Sequence, residues 1–456
     1  MLRSFLVFGI LATGIGVALF NRFAALSLYV WFALFRPQEF LWFDISEWHL
    51  SLWIGALLVI PALLTGVFPN FTHVLSIGSM LFLFSGLLAQ SNAFDSMLAW
   101  AWLDYLARLI LVSLLAVTLI STRRRFLWMV GIIAGSFGFY PAKAGLGSIL
   151  GGGIRYFDGQ AGAFQDNNAY AVGTAMIMPL LIVTAQNLPT DSAWSKPLKW
   201  LLFIAVPSSM LLVVSTFSRA GFLALIAAIL TFTFLQRRRW SIMLAFLLTL
   251  LVVGPFIPIP AGYFDRIETI RTYSATNEDS ALGRLHFWRV AIDMAAANPL
   301  GVGLQNFETA YDRYDFLNGT FGHRRSVHNS HFQVLTEMGF VGAAIWLFLF
   351  FYAFMTAWGL RRRALNGTLP ADQCRFFYTS ANGLITSMIA FVVGGAFISM
   401  ALNDLTWFTF ALVASLDRLS RQAQAQTEPL SDVLGAPVAY GPVPALEPAA
   451  FGAEFQ

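Results

Sequence analysis

The chain has 456 residues, of which 57% are hydrophobic and 11% charged, with a formal net charge of +4; its mean hydropathy is +0.67. So few charges cannot cover a water-soluble domain, which leaves a polytopic membrane protein. The apolar runs are continuous and lack the alternation of barrel strands, so they predict helices.

The opening segment, MLRSFLVFGILATGIG, has a basic tip and an apolar core and reads as a retained first helix, because further spans follow at once. A span needs about 20 residues. Runs of that order fall at 4–20, 24–42, 51–68, 71–90, 98–121, 126–141, 167–186, 199–216, 219–235, 240–256, 334–358 and 376–398. A shorter segment, 403–416, reads as a return leg behind Asn403 and Asp404.

Arginine clusters Arg123–Arg125, Arg237–Arg239 and Arg361–Arg363 mark the cytoplasmic side by the positive-inside rule. Four runs lie between the first two clusters and return the chain to one side. The runs 240–256 and 334–358 do the same around the polar segment, which places 257–332 in the periplasm or outside the cell. Five runs precede Arg123, so either the N-terminus is outside or one run does not cross, FRPQEF then ending a re-entrant or broken helix; a cytoplasmic N-terminus with one non-crossing run gives about 12 spans in all.

The expected fold is an all-α polytopic membrane protein with about 12 transmembrane helices and one large periplasmic loop carrying short amphipathic helices. It divides into N-terminal helices (1–125), central helices (126–256), the loop (257–332), C-terminal helices (333–420) and a Pro/Ala-rich, disordered cytoplasmic tail (421–456). Within the loop, Arg284, Trp288, Ala291 and Ala295 recur at helical spacing, Arg289 and Asp293 can pair one turn apart, and Asn298-Pro299 ends the helix. Such a helix is expected to lie on the membrane surface.

Three basic residues are the candidates for chemistry, and the topology puts all three on one face of the membrane. Arg219, in STFSRAGF, has small neighbours that let a ligand approach, although a snorkelling interfacial charge has the same look. Arg284 opens the loop helix, where an exposed helix residue is the plainer reading. His328 sits where the loop meets the next span; it either caps the loop or serves as a base, since imidazole titrates near neutral pH. His331 lies on the same helix face, and His323 and Glu337 are near, but no recognisable metal-ligand spacing links them.

The positive charge is almost all arginine, lysine occurring only at Lys143, Lys196 and Lys199, and arginine forks suit phosphates. One cysteine, Cys374, excludes an intramolecular disulfide. No Asp-x-Asp pair, Walker loop or Gly-x-Ser-x-Gly is present in a loop, which argues against metal-held nucleotide sugars, ATP-driven transport and an α/β-hydrolase. Arginines for an anion and a histidine for a proton suit a lipid-pyrophosphate sugar donor. Its leaving group needs little acid help, whereas its acceptor hydroxyl needs a base.

The segments FQDNNAYAVGTAMIMPL, STFSRAGFLAL, GRLHFWRVAIDMAAANPLGVGLQNF and SVHNSHFQVLTEMGFVGAAIWL, in that order over about 160–345, together resemble the O-antigen ligase and polymerase superfamily. The last carries His-Asn, nine residues, then Gly-x-x-Gly. The DNN triplet and LYVWFALFRPQEFLW look most like the O-glycosylation ligases found with exosortase systems.

The resemblance implies a metal-independent, inverting glycosyltransferase of the bacterial inner membrane that needs no cofactor. It would take a glycan from undecaprenyl pyrophosphate and join it, on the periplasmic side, to a glycolipid such as lipid A-core, a protein or another glycan. His328 matches the family's proposed base, and Arg219 and Arg284 match its pyrophosphate-binding arginines. Asp166, Asn167 and Asn168 either bind sugar or cap a helix. Arg289, Asn329 and His331 are candidates for the surrounding shell, and Gly339 and Gly342 for close helix packing. The expected partners are the lipid-linked donor, the acceptor and the bilayer, with no nucleic acid. Two rivals stand beside the ligase: a polymerase of Wzy type, and a transporter or flippase of lipid-linked sugar, for which Asp104 and Arg108 are the best intramembrane candidates.

Overall fold

The computed structural model describes residues 2–42, 45–159, 164–189, 192–256 and 279–425. Helices follow the apolar runs: α1 (Leu2–Phe20), α2 (Arg22–Phe35), α3 (Leu50–Leu64), α4 (Val74–Ala89), α5 (Ser96–Leu119), α6 (Arg123–Leu150), α7 (Asn167–Gln186), α8 (Ser195–Ser215), α9 (Arg219–Leu235) and α10 (Arg239–Val253). After the polar segment come α11 (Asp279–Ala297), α12 (Phe307–Tyr314), α13 (Ser330–Leu365), α14 (Cys374–Gly395) and α15 (Asp404–Ala425). Polar residues start many of them. Asn21, Asp95, Thr122, Asp166, Ser218 and Asn329 each accept a hydrogen bond from a first-turn N–H of the helix that follows. Away from water those donors would otherwise be left unsatisfied.

The chain is a helical membrane protein. Among the described residues six helices, within 74–92, 96–119, 167–186, 195–215, 330–365 and 374–395, are long and apolar enough to cross a membrane. Shorter apolar helices of 10–17 residues complete the bundle, so length and composition alone support fewer crossings than about 12. Among the described residues no strand forms; Asp158 and Asp166 make an isolated antiparallel bridge.

The three arginine clusters meet at one end of the bundle. Arg123 lies over the ring of Phe376 at 5.2 Å, and Arg361 donates to the Leu235 carbonyl at 2.8 Å. Arg237 approaches the ring of Tyr378, whose hydroxyl donates to the same carbonyl. Arg363 and Arg421 both pair with the buried Asp417, which His73 approaches from α4's start.

Two expectations are corrected here. Arg125 covers the ring of Phe23 at the start of α2, while Phe8 of α1 meets Trp48 beyond the far end of α2. The N-terminal half of α1 therefore lies at the end opposite the arginines, not beside them as a cytoplasmic N-terminus would require. The return leg at 403–416 is instead a 22-residue helix, α15, buried along nearly its whole length. It runs through Arg421, so the first part of the expected disordered tail is helical; residues 426–456 lie outside the described residues.

At the opposite end, α11 and α12 form a layer with its own core of Phe287, Val290, Met294, Val302, Phe307, Tyr311 and Val327. The α11 helix ends before Asn298-Pro299, as expected, and Arg289 pairs with Asp293 at 3.4 Å. The rest of the loop, 257–278, lies outside the described residues. The layer is stapled to α13 by backbone bonds from Val302 N to Thr336 O, Gly303 N to Glu337 O and Phe340 N to Pro299 O, at 2.9, 3.1 and 3.0 Å. At that seam Gly339 has φ +68° and breaks α13, and a Cβ there would run into the Pro299–Gly301 backbone. Gly339 thus admits a loop rather than a helix. Gly342 does admit one: its missing Cβ leaves room for Ser85 of α4.

Candidate functional site

His328 is held in a turn fixed from both sides. Val327 is anchored in the core of the outer layer. Asn329 caps α13, its side chain accepting from the N–H groups of His331 at 2.8 Å and Phe332 at 3.1 Å. Between them His328 takes φ 46°, a left-handed conformation that costs a residue with a Cβ about 1–2 kcal/mol. Its half-buried ring lies beside Phe287, with centroids 6.3 Å apart.

Burial first, and then the guanidinium groups of Arg284 and Arg325, hold the imidazole below its ordinary proton affinity; the carboxylate of Asp166 pulls the other way. The ring is therefore neutral at neutral pH and able to accept a proton.

Arg219 is presented by the same local arrangement. Phe217 takes φ 56°, and Ser218 caps α9 by accepting from Gly221 N at 3.0 Å. Arg219 is the first helical residue, so its charge adds to the positive end of the α9 dipole. The Thr216 carbonyl accepts from Asn167 Nδ2 at 3.0 Å, which ties this turn to the start of α7. Asp166 sits at that start, within the electrostatic reach of His328. The structure thus brings Arg284 and Asp166 into the field of His328 and ties the Arg219 turn to the helix start where Asp166 sits.

Arg284 is set by a buried pair. Two residues further along α11, His286 meets Asp315 at 2.8 Å. Burial alone would raise the proton affinity of Asp315, but the N–H groups of Gly319 and Leu317, with His286, hold its carboxyl below the usual range. This pair locks the rotation of α11 and so the side of the helix from which Arg284 acts.

Sequence reasoning missed that pair, and it missed two arginines. Arg325 lies three residues before His328 in a run of two arginines, a signal that was in plain view, and its guanidinium covers Phe287 at 5.6 Å. Arg155 follows a glycine run and stacks on Phe217 at 4.5 Å, beside the Arg219 turn. No local pattern connects Arg155 to that turn.

The remaining candidates divide. Asp166 is a helix cap, accepting from Asn168 N at 3.1 Å and Ala169 N at 3.0 Å, and Asn168 Nδ2 donates back to it at 3.2 Å. Arg289 is exposed and engaged with Asp293. His331 has both ring nitrogens occupied inside the bundle: Trp346 Nε1 donates to Nδ1 at 3.1 Å, and Nε2 donates to the Val392 carbonyl at 3.2 Å. Glu337 is buried and accepts from Gln333 and from the N–H groups of Gln305 and Phe307, which makes it part of the seam. Among the described residues no group of three His, Cys, Asp or Glu side chains could hold a metal ion.

Comparison with curated proteins gives no match. The family model described as O-antigen ligase matches residues 201–347, a stretch that runs from α8 through Arg219, Arg284 and His328 into α13. Over that stretch the chain is similar to the O-antigen ligase family.

Proposed function

We propose that this protein is a glycan ligase. It transfers an oligo- or polysaccharide from undecaprenyl pyrophosphate to a hydroxyl of a glycolipid, protein or glycan acceptor, on the periplasmic face of the bacterial inner membrane. The family supports a ligase or polymerase acting on lipid-linked glycans. The observation that carries the finer reading is His328, a neutral imidazole half-buried between Arg284 and Arg325.

In this mechanism Arg219 and Arg284 hold the donor diphosphate, and Arg155 and Arg325 add positive charge at its rim. The acceptor oxygen attacks the anomeric carbon from the face opposite the leaving group. Its proton passes to His328, the C–O bond to phosphate breaks, and undecaprenyl pyrophosphate leaves with the bonding pair. The arginines stabilise the charge that grows on the phosphate oxygen as the bond lengthens. The product has inverted anomeric configuration, and no step requires a metal or cofactor.

The lipid tail has a place to go. An apolar cavity of about 650 Å³ opens between α9, α10, α13 and α14, lined by Ile229, Phe234, Phe246, Phe354 and Trp358 among others. Ile229 lies about 15 Å along α9 from Arg219, at 1.5 Å per residue. A polyprenyl chain descending α9 from a diphosphate at Arg219 reaches it.

Transport draws less support: Asp104 and Arg108 pair with each other on a single helix, and both side chains are half exposed. The test is to incubate purified protein with undecaprenyl-pyrophosphate glycan, EDTA and candidate acceptors, following release of undecaprenyl pyrophosphate and product size. Acceptor-dependent release that vanishes in His328→Ala supports transfer. One product band marks a ligase and a ladder a polymerase. Donor binding without release under any acceptor would overturn the reading.

A further inference from the structure

A second cavity, of about 640 Å³, opens at the same end of the bundle as His328. Its walls come from three places: Glu39 and Trp42 after α2, Tyr140 and Lys143 of α6, and Asp158 and Tyr170 around the α6–α7 connection. The walls are firmly built. The Tyr156 hydroxyl donates to the Ala144 carbonyl at 2.9 Å, which ties the connection down onto α6. Tyr140 packs on Phe35 at the end of α2, with ring centroids 5.6 Å apart.

The same connection reaches the reaction centre. Tyr156 N donates to the Ser215 carbonyl at 3.0 Å, immediately before the Arg219 turn. Asp158 bridges to Asp166, whose carboxylate acts on His328. One short stretch of chain therefore lines the cavity and buttresses the diphosphate turn.

The lining selects a ligand class. Four aromatic side chains, Trp42, Tyr140, Tyr156 and Tyr170, line it, while two carboxylates and one ammonium offer hydrogen bonds from several directions. An acyl or prenyl chain would set methylenes against the Asp158 carboxylate and the Lys143 ammonium, which offer it nothing. A second phosphate would meet no net positive charge, because Lys143 is balanced by Asp158 and Glu39 is paired with Arg36 at 3.8 Å. A pyranose ring satisfies the set: its C–H faces lie on aromatic rings, and its hydroxyls donate to carboxylates and accept from the ammonium. An interfacial aromatic belt does not account for it, since belt residues stand around the perimeter rather than converging with acids on a hollow.

We propose that this cavity is a saccharide subsite that holds a sugar ring of one of the two glycan-bearing substrates while the reaction proceeds at His328. The proposal rests on the glycosyl-transfer reading, and its test separates the two. Trp42 is 73% exposed and Asp158 is exposed, so Trp42→Ala and Asp158→Asn leave the core untouched. Initial rates of the full-length protein are measured with lipid-linked donor and acceptor varied in turn. In parallel, the oligosaccharide released from the donor by mild acid is bound to His328→Ala protein and followed by saturation-transfer NMR.

Each variant is expected to raise one KM by roughly tenfold, the effect of losing one good contact, with kcat nearly unchanged. A rise in donor KM with weakened oligosaccharide binding assigns the subsite to the donor glycan; a rise in acceptor KM alone assigns it to the acceptor. Unchanged values of both KM in an active enzyme overturn the subsite and leave the transferase intact. If the wild type transfers nothing, the transferase reading fails; oligosaccharide binding lost in Trp42→Ala then still supports the cavity, and binding absent from the unsubstituted cavity overturns it.

Discussion

Both ends of this bundle are rich in arginine, and they use it in opposite ways. At the end where the clusters 123–125, 237–239 and 361–363 meet, guanidinium groups lie on rings, on the Leu235 carbonyl and on buried Asp417. Those partners belong to the scaffold, so the arginines there anchor helix ends. At the other end Arg284 and Arg325 act on one histidine, Arg155 stacks beside the Arg219 turn, and the carboxylate in the histidine's field, Asp166, is also a helix cap. Charge at the first end holds the fold; at the second it lowers the proton affinity of His328.

Removing the base is the hardest blow to that distinction. His328→Ala is expected to lower kcat by about 10²–10⁴-fold, the usual worth of a positioned base, with donor affinity retained. Normal turnover by a folded variant would remove His328 from the mechanism. Next come the arginines, where a lysine keeps the charge but loses the planar fork. Arg219→Lys and Arg284→Lys should each cost roughly 10–100-fold in kcat/KM, whereas Arg361→Lys, at the anchoring end, should leave turnover near wild type. Equal losses at the two ends would erase the contrast.

The mirror experiment strikes the anchoring end. Asp417 is 3% exposed and meets His73, Arg363 and Arg421. Asp417→Asn removes the charge those groups share and should cost about 1–3 kcal/mol of stability, read as a lower Tm in detergent, with kcat of the folded fraction unchanged.

How much of this the sequence displayed depends on distance along the chain. Local signals carried far: the Asn298-Pro299 stop and the Arg289–Asp293 pair lie within a few residues of their partners. Arg219, Arg284 and His328 stood out because charge is rare in an apolar chain. What failed to show was set by packing between distant elements. Nothing near Arg155 announces that it will stack on Phe217, and nothing near His286 announces Asp315. The break at Gly339 hides inside a continuous apolar run, because its cause is the Pro299 backbone that lies against it. The direction of α1 is fixed by the meeting of Phe8 with Trp48, a contact no periodicity encodes. Burial of α15 is equally invisible, because its polar residues, Thr406, Thr409, Ser415 and Asp417 among them, are buried with the rest.

The smallest expected effect is also the sharpest, because it asks whether the field at the reaction centre has the sign assigned to it. Arg325 lowers the proton affinity of His328, so Arg325→Ala should raise the imidazole pKa. A base works when deprotonated, so the acid limb of the kcat/KM profile should then move to higher pH, and activity should be lost sooner on acidification. Asp166 acts in the opposite sense. Asp166→Asn keeps a capping side chain for α7 but removes the charge, so the limb should move to lower pH. Both shifts are modest, since Arg325 and Asp166 are exposed and water screens them. Opposite displacements from two substitutions on different elements are hard to obtain from misfolding, which would lower the whole profile without moving its limb. Displacement in the same direction, or none, would mean that the titrating group is not His328, and the base would have to be sought elsewhere in the cluster.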